Sequence, residues 1–234
     1  MVGAILGRMP DPERDSMTPF SSVTTPEELL AALGPRNAGG RALILIGGAG
    51  FTEPAMLDEL RRFLETFAAY CERTRTAIVD GGTDSGVMQL VGEARASIGA
   101  SFPLIGVAPA GAFERPTRDG SPIQPARDHS LILRVPGEHF GEETAWLFAA
   151  ADHLNGAAAP TIVVNGGTLT SDEAHQRLAS GHPVIAVEGS GRAADDLAAD
   201  EDLRASGRLR VIPLTVDETG LSAAIGQHSE DIDE

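Results

Sequence analysis

The chain has 234 residues, 42% of them hydrophobic and only 4% aromatic, and carries a formal net charge of −16. That apolar content suffices for a sizeable core, and the acidic balance excludes nucleic acid as a main partner, because binding a phosphate backbone needs a basic face. All 18 basic residues are arginine, which rules out a Walker-type phosphate loop, Schiff-base chemistry and a lysine general base. An anionic ligand must therefore be held by main-chain amides and a few arginines. No apolar run approaches the ~18 residues of a membrane span, so no membrane partner is expected. The start lacks the basic region and cleavage site of a secretion signal, and Cys71 alone cannot form an internal disulfide. A reducing cytoplasm is the expected compartment.

In chain order, residues 1–8 are expected to form a short strand, and Met9 to Ser22, with prolines and mixed charges, a loop. Thr25-Pro26-Glu27-Glu28 opens a helix with a capping residue and a first-turn proline, and Gly34-Pro35 stops it. Arg41 to Ile46 is a buried strand running into Gly47-Gly48-Ala49-Gly50-Phe51. Leu57, Leu60, Phe63, Leu64 and Phe67 recur at helical spacing and predict a helix from about Pro54 to Glu72. The strand Thr76 to Val79 leads into Asp80-Gly81-Gly82-Thr83-Asp84-Ser85-Gly86-Val87-Met88, and a helix follows to about Ile98. Pro103 to Ala108 is a strand ending at Pro109-Ala110-Gly111. Residues 112–128, rich in proline and charge, read as a long loop over the site or a mobile flap. Ser130 to Val135 is a strand, and Glu142 to Leu154 a helix with the single tryptophan, Trp146. Thr161 to Val164 enters Asn165-Gly166-Gly167-Thr168 before a helix to about Ala179. Pro183 to Val187 enters Glu188-Gly189-Ser190-Gly191-Arg192 before an acidic helix. A short strand near Val211-Ile212 and a weak helix complete the pattern. Unbroken β-branched runs alternating with amphipathic helices predict one α/β domain over residues 1–228, a parallel sheet with helices on both faces, and an acidic disordered tail over 229–234.

Five strands end in glycine-bearing turns: Gly47-Gly48, Gly81-Gly82, Gly106 to Gly111, Gly166-Gly167 and Gly189 to Gly191. In an open parallel sheet these turns share one edge, where ligands bind. Glycine lets the backbone approach a ligand, and the first-turn N–H groups with the helix dipole favour an anion. One such turn is an ordinary connection; five on one edge predict a ligand with one or two phosphates and a ribose. None reads G-x-G-x-x-G, so ordinary nicotinamide dinucleotide binding is not supported. His129, His139, Glu142 and Glu143 match no zinc spacing, so no metal is expected. No G-x-S-x-G elbow is present.

The succession GGAGF, IVDGGTDSGVMQLVGEA, LIGVAPAG, HFGEETAWL, VVNGGT and PVIAVEGSGRAADDLA resembles the SLOG superfamily over roughly residues 40–200. It is most similar to the SLOG domain of melastatin-type TRP channels (TRPM) and its free-standing prokaryotic relatives. The resemblance implies a Rossmann-like domain that binds a nucleotide-derived ligand, ADP-ribose in the channels, and a sensing role in prokaryotic signalling. A homo-oligomer and an unlinked effector protein are both left open by it, and no cofactor beyond the ligand is implied. A more distant branch, the Lonely Guy phosphoribohydrolases, cleaves nucleoside monophosphates. Its first motif is close to Gly81 to Met88, and its second is partly mirrored by Asn165 to Glu173, where Asn165 replaces a proline and Leu169 a glycine.

The resemblance assigns ligand contacts to Gly47, Gly48, Phe51, Gly81, Gly82, Thr83, Ser85, Gly86, Val87, Gly189, Ser190, Gly191 and Arg192; Pro109, Gly166 and Gly167 join them as strand-end turn residues. Arg192, the one cation inside a glycine turn, is the candidate phosphate clamp. Thr83 and Ser85 are as well suited to capping the helix as to donating to phosphate. Asp80 reads as a turn cap ahead of a ribose contact, and Phe51 as a base platform or a core aromatic. No residue stands out as catalytic. Glu173 is a weak candidate that reads first as a solvated helix carboxylate, and glycosidic cleavage would demand a partner for it that the sequence does not identify. Glu143 is a candidate to face the crevice, with Trp146 in the helix–sheet layer.

Overall fold

The computed structural model describes residues 18–34, 40–48, 54–116 and 120–226. The expected strand over residues 1–8, the acidic tail and Phe51 lie outside the described residues. Among them, eight strands form one parallel sheet: β1 (Phe20–Ser22), β2 (Arg41–Gly48), β3 (Thr76–Asp80), β4 (Leu104–Pro109), β5 (Leu131–Val135), β6 (Thr161–Asn165), β7 (Val184–Glu188) and β8 (Leu209–Pro213). Their order is β1-β5-β4-β3-β2-β6-β7-β8, with every pairing parallel. Helices α1 (Pro26–Leu33), α2 (Pro54–Thr74), α3 (Gly86–Ser97), α4 (Thr144–Asn155), α5 (Thr168–Ala179), α6 (Arg192–Ala199), α7 (Glu201–Ala205) and α8 (Glu218–Gly226) complete the chain. This is the Rossmann-like α/β fold expected.

Strand periodicity divides the core in two. Leu43 and Leu45 of β2 pack with Phe63 and Phe67 of α2, Val87 and Val91 of α3 and Leu221 of α8. Ile44 and Ile46, pointing the other way, pack with Leu29 of α1, Leu147 of α4, Ala174 of α5 and Leu197 of α6. Both faces of the sheet are thus apolar, which is why its strands read as unbroken hydrophobic runs rather than alternating ones. Cys71 is fully buried in the first layer, and burial pushes its thiol well above the ordinary range.

Two expectations need correction. Phe20–Ser22, placed within a loop by sequence, is an edge strand whose Phe20 aligns with Ile132 and Ser22 with Arg134. Three residues are too few to show a period, and the pairing comes from the rest of the fold. In the segment 112–128, read as a long loop over the site or a mobile flap, residues 112–114 belong to a 3₁₀ turn over Ala110–Glu114 that the sequence reading did not include; among its other described residues, Gln124 and Ala126 are held against the β3–α3 turn, where Ala126 N–H donates to Gly82 and Asp84 N–H to Gln124.

The same turn rests on a buried ion pair. Asp80, with 0% exposure, accepts from Gly82 N–H at 2.8 Å, and both its oxygens lie 3.0 Å from His129 Nε2. His129 Nδ1 faces the Arg127 carbonyl at 3.1 Å. Both ring nitrogens therefore face acceptors, which calls for the doubly protonated imidazolium. Burial works against that charge, but the Asp80 carboxylate and the hydrogen bonds outweigh it, and His129 titrates above its ordinary range. One layer further along, a Cβ on Gly106 would come within 2.4 Å of Gly82 Cα, so the strand end and the turn touch backbone to backbone.

Gly106→Ala should therefore cost roughly 1–3 kcal/mol by overpacking, read as a lower urea midpoint with unchanged slope. Because the pKa of His129 is raised on folding, its contribution is fully present below pH about 6.5 and is lost as pH rises through the folded value. Urea midpoints measured across that range should fall with pH more steeply in the natural protein than in His129→Gln; parallel pH profiles would show that the pair is not an ion pair.

Candidate functional site

A doubly wound sheet opens a crevice where its winding reverses. Here the chain leaves β2 to build β3, β4 and β5 on one side, then resumes at β6 to build β7 and β8 on the other. The reversal falls between β2 and β6, whose ends align Gly48 with Asn165. A cleft of about 300 Å³ opens at that point. Leu45, Ile46 and Gly47 of β2, Gly81, Thr83, Ser85 and Met88 around the start of α3, Phe140, Glu143 and Leu147 around α4, and Leu169, Thr170 and Glu173 of α5 line it.

Glycine is required at the reversal for steric reasons. Gly47 has φ of 156°, and a Cβ there would lie 2.0 Å from the Val164 carbonyl oxygen. Gly166, at φ 94°, would collide with the Thr170 side chain at 2.5 Å. Asn165 is itself left-handed, with φ of 55°, and its side chain closes the turn by accepting from Gly166 N–H at 2.7 Å.

Two long helices present uncapped N-termini to the cleft. Ser85 is the N-cap of α3 but makes no side-chain cap, its hydroxyl lying 3.1 Å from that of Thr83. Gly167 begins α5, likewise without a side-chain cap. The first-turn N–H groups of both helices are left for a ligand or water. The two helices start from β3 and β6, which flank β2 on either side, and lie on opposite faces of the sheet, so their N-termini approach the cleft from two sides.

Arg192 opens α6 at φ 51°, a left-handed conformation that costs an arginine about 1 kcal/mol or more. It is exposed and, among the described residues, has no ion pair or hydrogen bond. Its guanidinium lies beside Gly167, where a Cβ would stand 3.0 Å from the nearer nitrogen. It flanks α5 rather than lining the cleft. Gly48 and Gly166 meet across the β2–β6 junction, and Gly82, Gly86, Pro109, Gly189 and Gly191 stand at the strand-end turns without lining the cleft, whereas Val87, expected to contact ligand, is buried at 0% in the core under α3. Ser190 is fully buried, and its hydroxyl donates to Val187 at 2.6 Å while accepting from Asn165 N–H at 2.8 Å, so it braces two turns. Asp80 caps the β3 turn and is spent on His129.

Glu173 is not solvated. It is 6% exposed, and Thr144 Oγ1 donates to its Oε1 at 2.8 Å. Burial pushes its carboxyl up to about 7 against the Thr144 hydrogen bond, and the neighbouring Glu143 and Asp172 carboxylates add to the rise. Glu143, 4% exposed, accepts from Gly141 N–H at 2.7 Å, and burial raises it too. The sequence misplaces Glu173 because a carboxylate on a helix is normally exposed. One turn later Arg177, 2% exposed, grips Asp152 of α4 with two bonds of 3.0 Å over the Phe148 ring. That clamp ties α5 to α4 beside the Glu173–Thr144 contact. Glu143 faces the crevice as expected, and Trp146 packs against the second core layer. Leu169, which the sequence marks as a large residue in place of a motif glycine, and Phe140, which it does not single out, are both exposed cleft residues.

Among the described residues no helix is long and apolar enough to cross a membrane. Three solved structures share the architecture. The protein TM1055 aligns with a TM-score of 0.59 at 19% identity, covering 80% of this chain and 99% of that one. The molybdenum cofactor binding protein of Rippkaea orientalis gives 0.56 at 13% identity, covering 81% and 98%. The Moco carrier protein of Chlamydomonas reinhardtii gives 0.50 at 19%, covering 80% and 96%. At such identities the likeness shows a common fold. A comparison with curated protein sequences gives no significant match. The sequence profile described as "SLOG in TRPM, prokaryote" matches residues 41–225, which span the sheet from β2 to α8 and every residue lining the cleft. The chain belongs to the SLOG superfamily, in the prokaryotic family related to the SLOG domain of TRPM proteins.

Proposed function

We propose that the protein binds and senses a nucleotide-derived ligand, of the phosphate-and-ribose type exemplified by ADP-ribose, in the cleft between β2 and β6. The observation that carries this reading is the pair of uncapped N-termini, of α3 and α5, facing one cleft with the unpaired Arg192 beside the second. Helix N-termini favour anions, and two of them reaching one cleft from opposite sides suit a ligand with more than one anionic group. Backbone amides supply attraction there that the lining side chains, which include no arginine, do not.

A second reading, cleavage of the N-glycosidic bond of a nucleoside monophosphate, is favoured by one specific observation. Glu173 titrates at about 7 inside the cleft, where a carboxyl can act as general acid, and Glu143 shares the cleft with it. Glu143 is the partner that the sequence could not identify: a second carboxylate to stabilise an oxocarbenium-like state. The carboxyl pair supplies acid and carboxylate groups for such chemistry, while the large Leu169 at the α5 terminus favours binding without turnover.

Titration with ADP-ribose, AMP and NAD, with molybdenum cofactor as a control drawn from the structural neighbours, tests the first reading; no affinity for any nucleotide would sink it. Arg192→Ala should weaken binding by ~1.5–3 kcal/mol as a charge-assisted contact is lost, and unchanged affinity would refute the clamp. Chromatographic assay for free base tests the second reading: release abolished in Glu173→Gln marks an enzyme. The raised Glu173 pKa also has a stability sign. The folded state holds that proton more tightly than the unfolded one, so stability falls as pH rises through about 7. Glu173→Gln, which keeps the Thr144 bond without the charge, should therefore unfold at higher urea than the natural protein at pH about 8, by roughly 1–3 kcal/mol.

A further inference from the structure

We propose that Glu143 and Glu173 together read the sugar of the ligand, accepting the hydroxyls of an unmodified ribose and excluding a ribose phosphorylated at its 2′ or 3′ position. This rests on the nucleotide reading above and narrows its ligand class. Each carboxyl has one oxygen committed inside the protein: Glu173 Oε1 to the Thr144 hydroxyl and Glu143 Oε2 to Gly141 N–H. Those bonds fix both groups, Glu143 accepting from its own backbone N–H as well, on side chains more than nine-tenths buried that line the cleft. A carboxylate oxygen offers more than one acceptor position, so each group can still accept an O–H donor from a ligand.

The rest of the cleft lining leaves the pair one fitting occupant. Thr83 and Ser85 stand at the anion-favouring start of α3, and Phe140 and Leu169 offer apolar side chains exposed enough to cover a base. Between phosphate and base in a nucleotide lies the sugar, whose vicinal hydroxyls match two acceptor oxygens. The described lining contains no arginine or histidine, so nothing there would offset a second phosphate placed against the carboxyls. A carboxylate set on ribose hydroxyls discriminates in this way in dinucleotide-binding sheets generally.

Calorimetric titration at pH about 8, above the value of about 7 for Glu173, compares ADP-ribose with its 2′-phosphorylated form, and AMP with adenosine 2′,5′- and 3′,5′-bisphosphates. The natural protein should prefer the unmodified ligands by at least ~10-fold and lose about 10-fold affinity for 2′-deoxy-AMP relative to AMP. Glu143→Gln and the Glu143→Gln/Glu173→Gln double variant, checked for folding by circular dichroism, should narrow the preference to within about 3-fold. Equal affinity of the natural protein for plain and phosphorylated sugars, or an unchanged preference in both variants, would overturn the sugar reading while leaving nucleotide binding intact. Absence of binding to every nucleotide would overturn both.

Discussion

The structure depends on one topological constraint: a parallel sheet that grows outward from its middle must reverse its winding once, and this chain reverses between β2 and β6. The connections from these two strands depart to opposite sides, so no helix covers the gap above their ends. To leave that gap open the backbones must approach closely, as Gly47 approaches Val164. Around it the uncapped starts of α3 and α5 collect, because both helices begin directly from strands adjoining the reversal. The cleft follows from the winding, and its chemistry from whichever side chains the flanking helices bring to it.

Those side chains are held in place at the expense of stability. Asn165 and Arg192 are left-handed without being glycine, Glu143 and Glu173 are buried without a cation, and α3, α4, α5 and α6 all start at this edge without a side-chain cap. Elsewhere Asp200 caps α7 and Glu72 accepts from Ser101 and Phe102 N–H, although Arg75 and Asp128 are left-handed too. What is particular to the cleft edge is the combination of strained turns with two carboxyls buried without a cation.

The fold was largely legible because burial on both faces imprints itself on composition: five glycine-ended apolar runs appear in the structure as β2, β3, β4, β6 and β7. What stayed hidden depended on contacts distant in sequence. β1 exists because β5 offers it an edge, and the segment around Gln124 is pinned by a turn 40 residues earlier (Asp84 N–H to Gln124). Glu173 was misread for the same reason, since its burial comes from the packing of α5 against α4, where Arg177 of α5 reaches Asp152 of α4. Glycine turns mark where a ligand approaches, whereas the groups that would choose among ligands sit on helices whose relative placement only the packed core determines.

The electrostatics of the site resolve an apparent contradiction. A chain of charge −16 is a poor partner for an anion at long range. At physiological ionic strength, however, exposed charges are screened beyond ~8 Å, so the average field matters less than the groups in contact. Within that distance the N-termini of α3 and α5 present oriented amides that cannot be titrated away or swing aside, and the Arg192 guanidinium lies beside Gly167. The carboxyls of Glu143 and Glu173 act over the same short range with the opposite sign. Attraction at the helix starts and repulsion along one wall give a cleft that accepts negative charge at its ends and refuses it in between. Such a pattern selects among ligands by where their charge lies rather than by how much they carry.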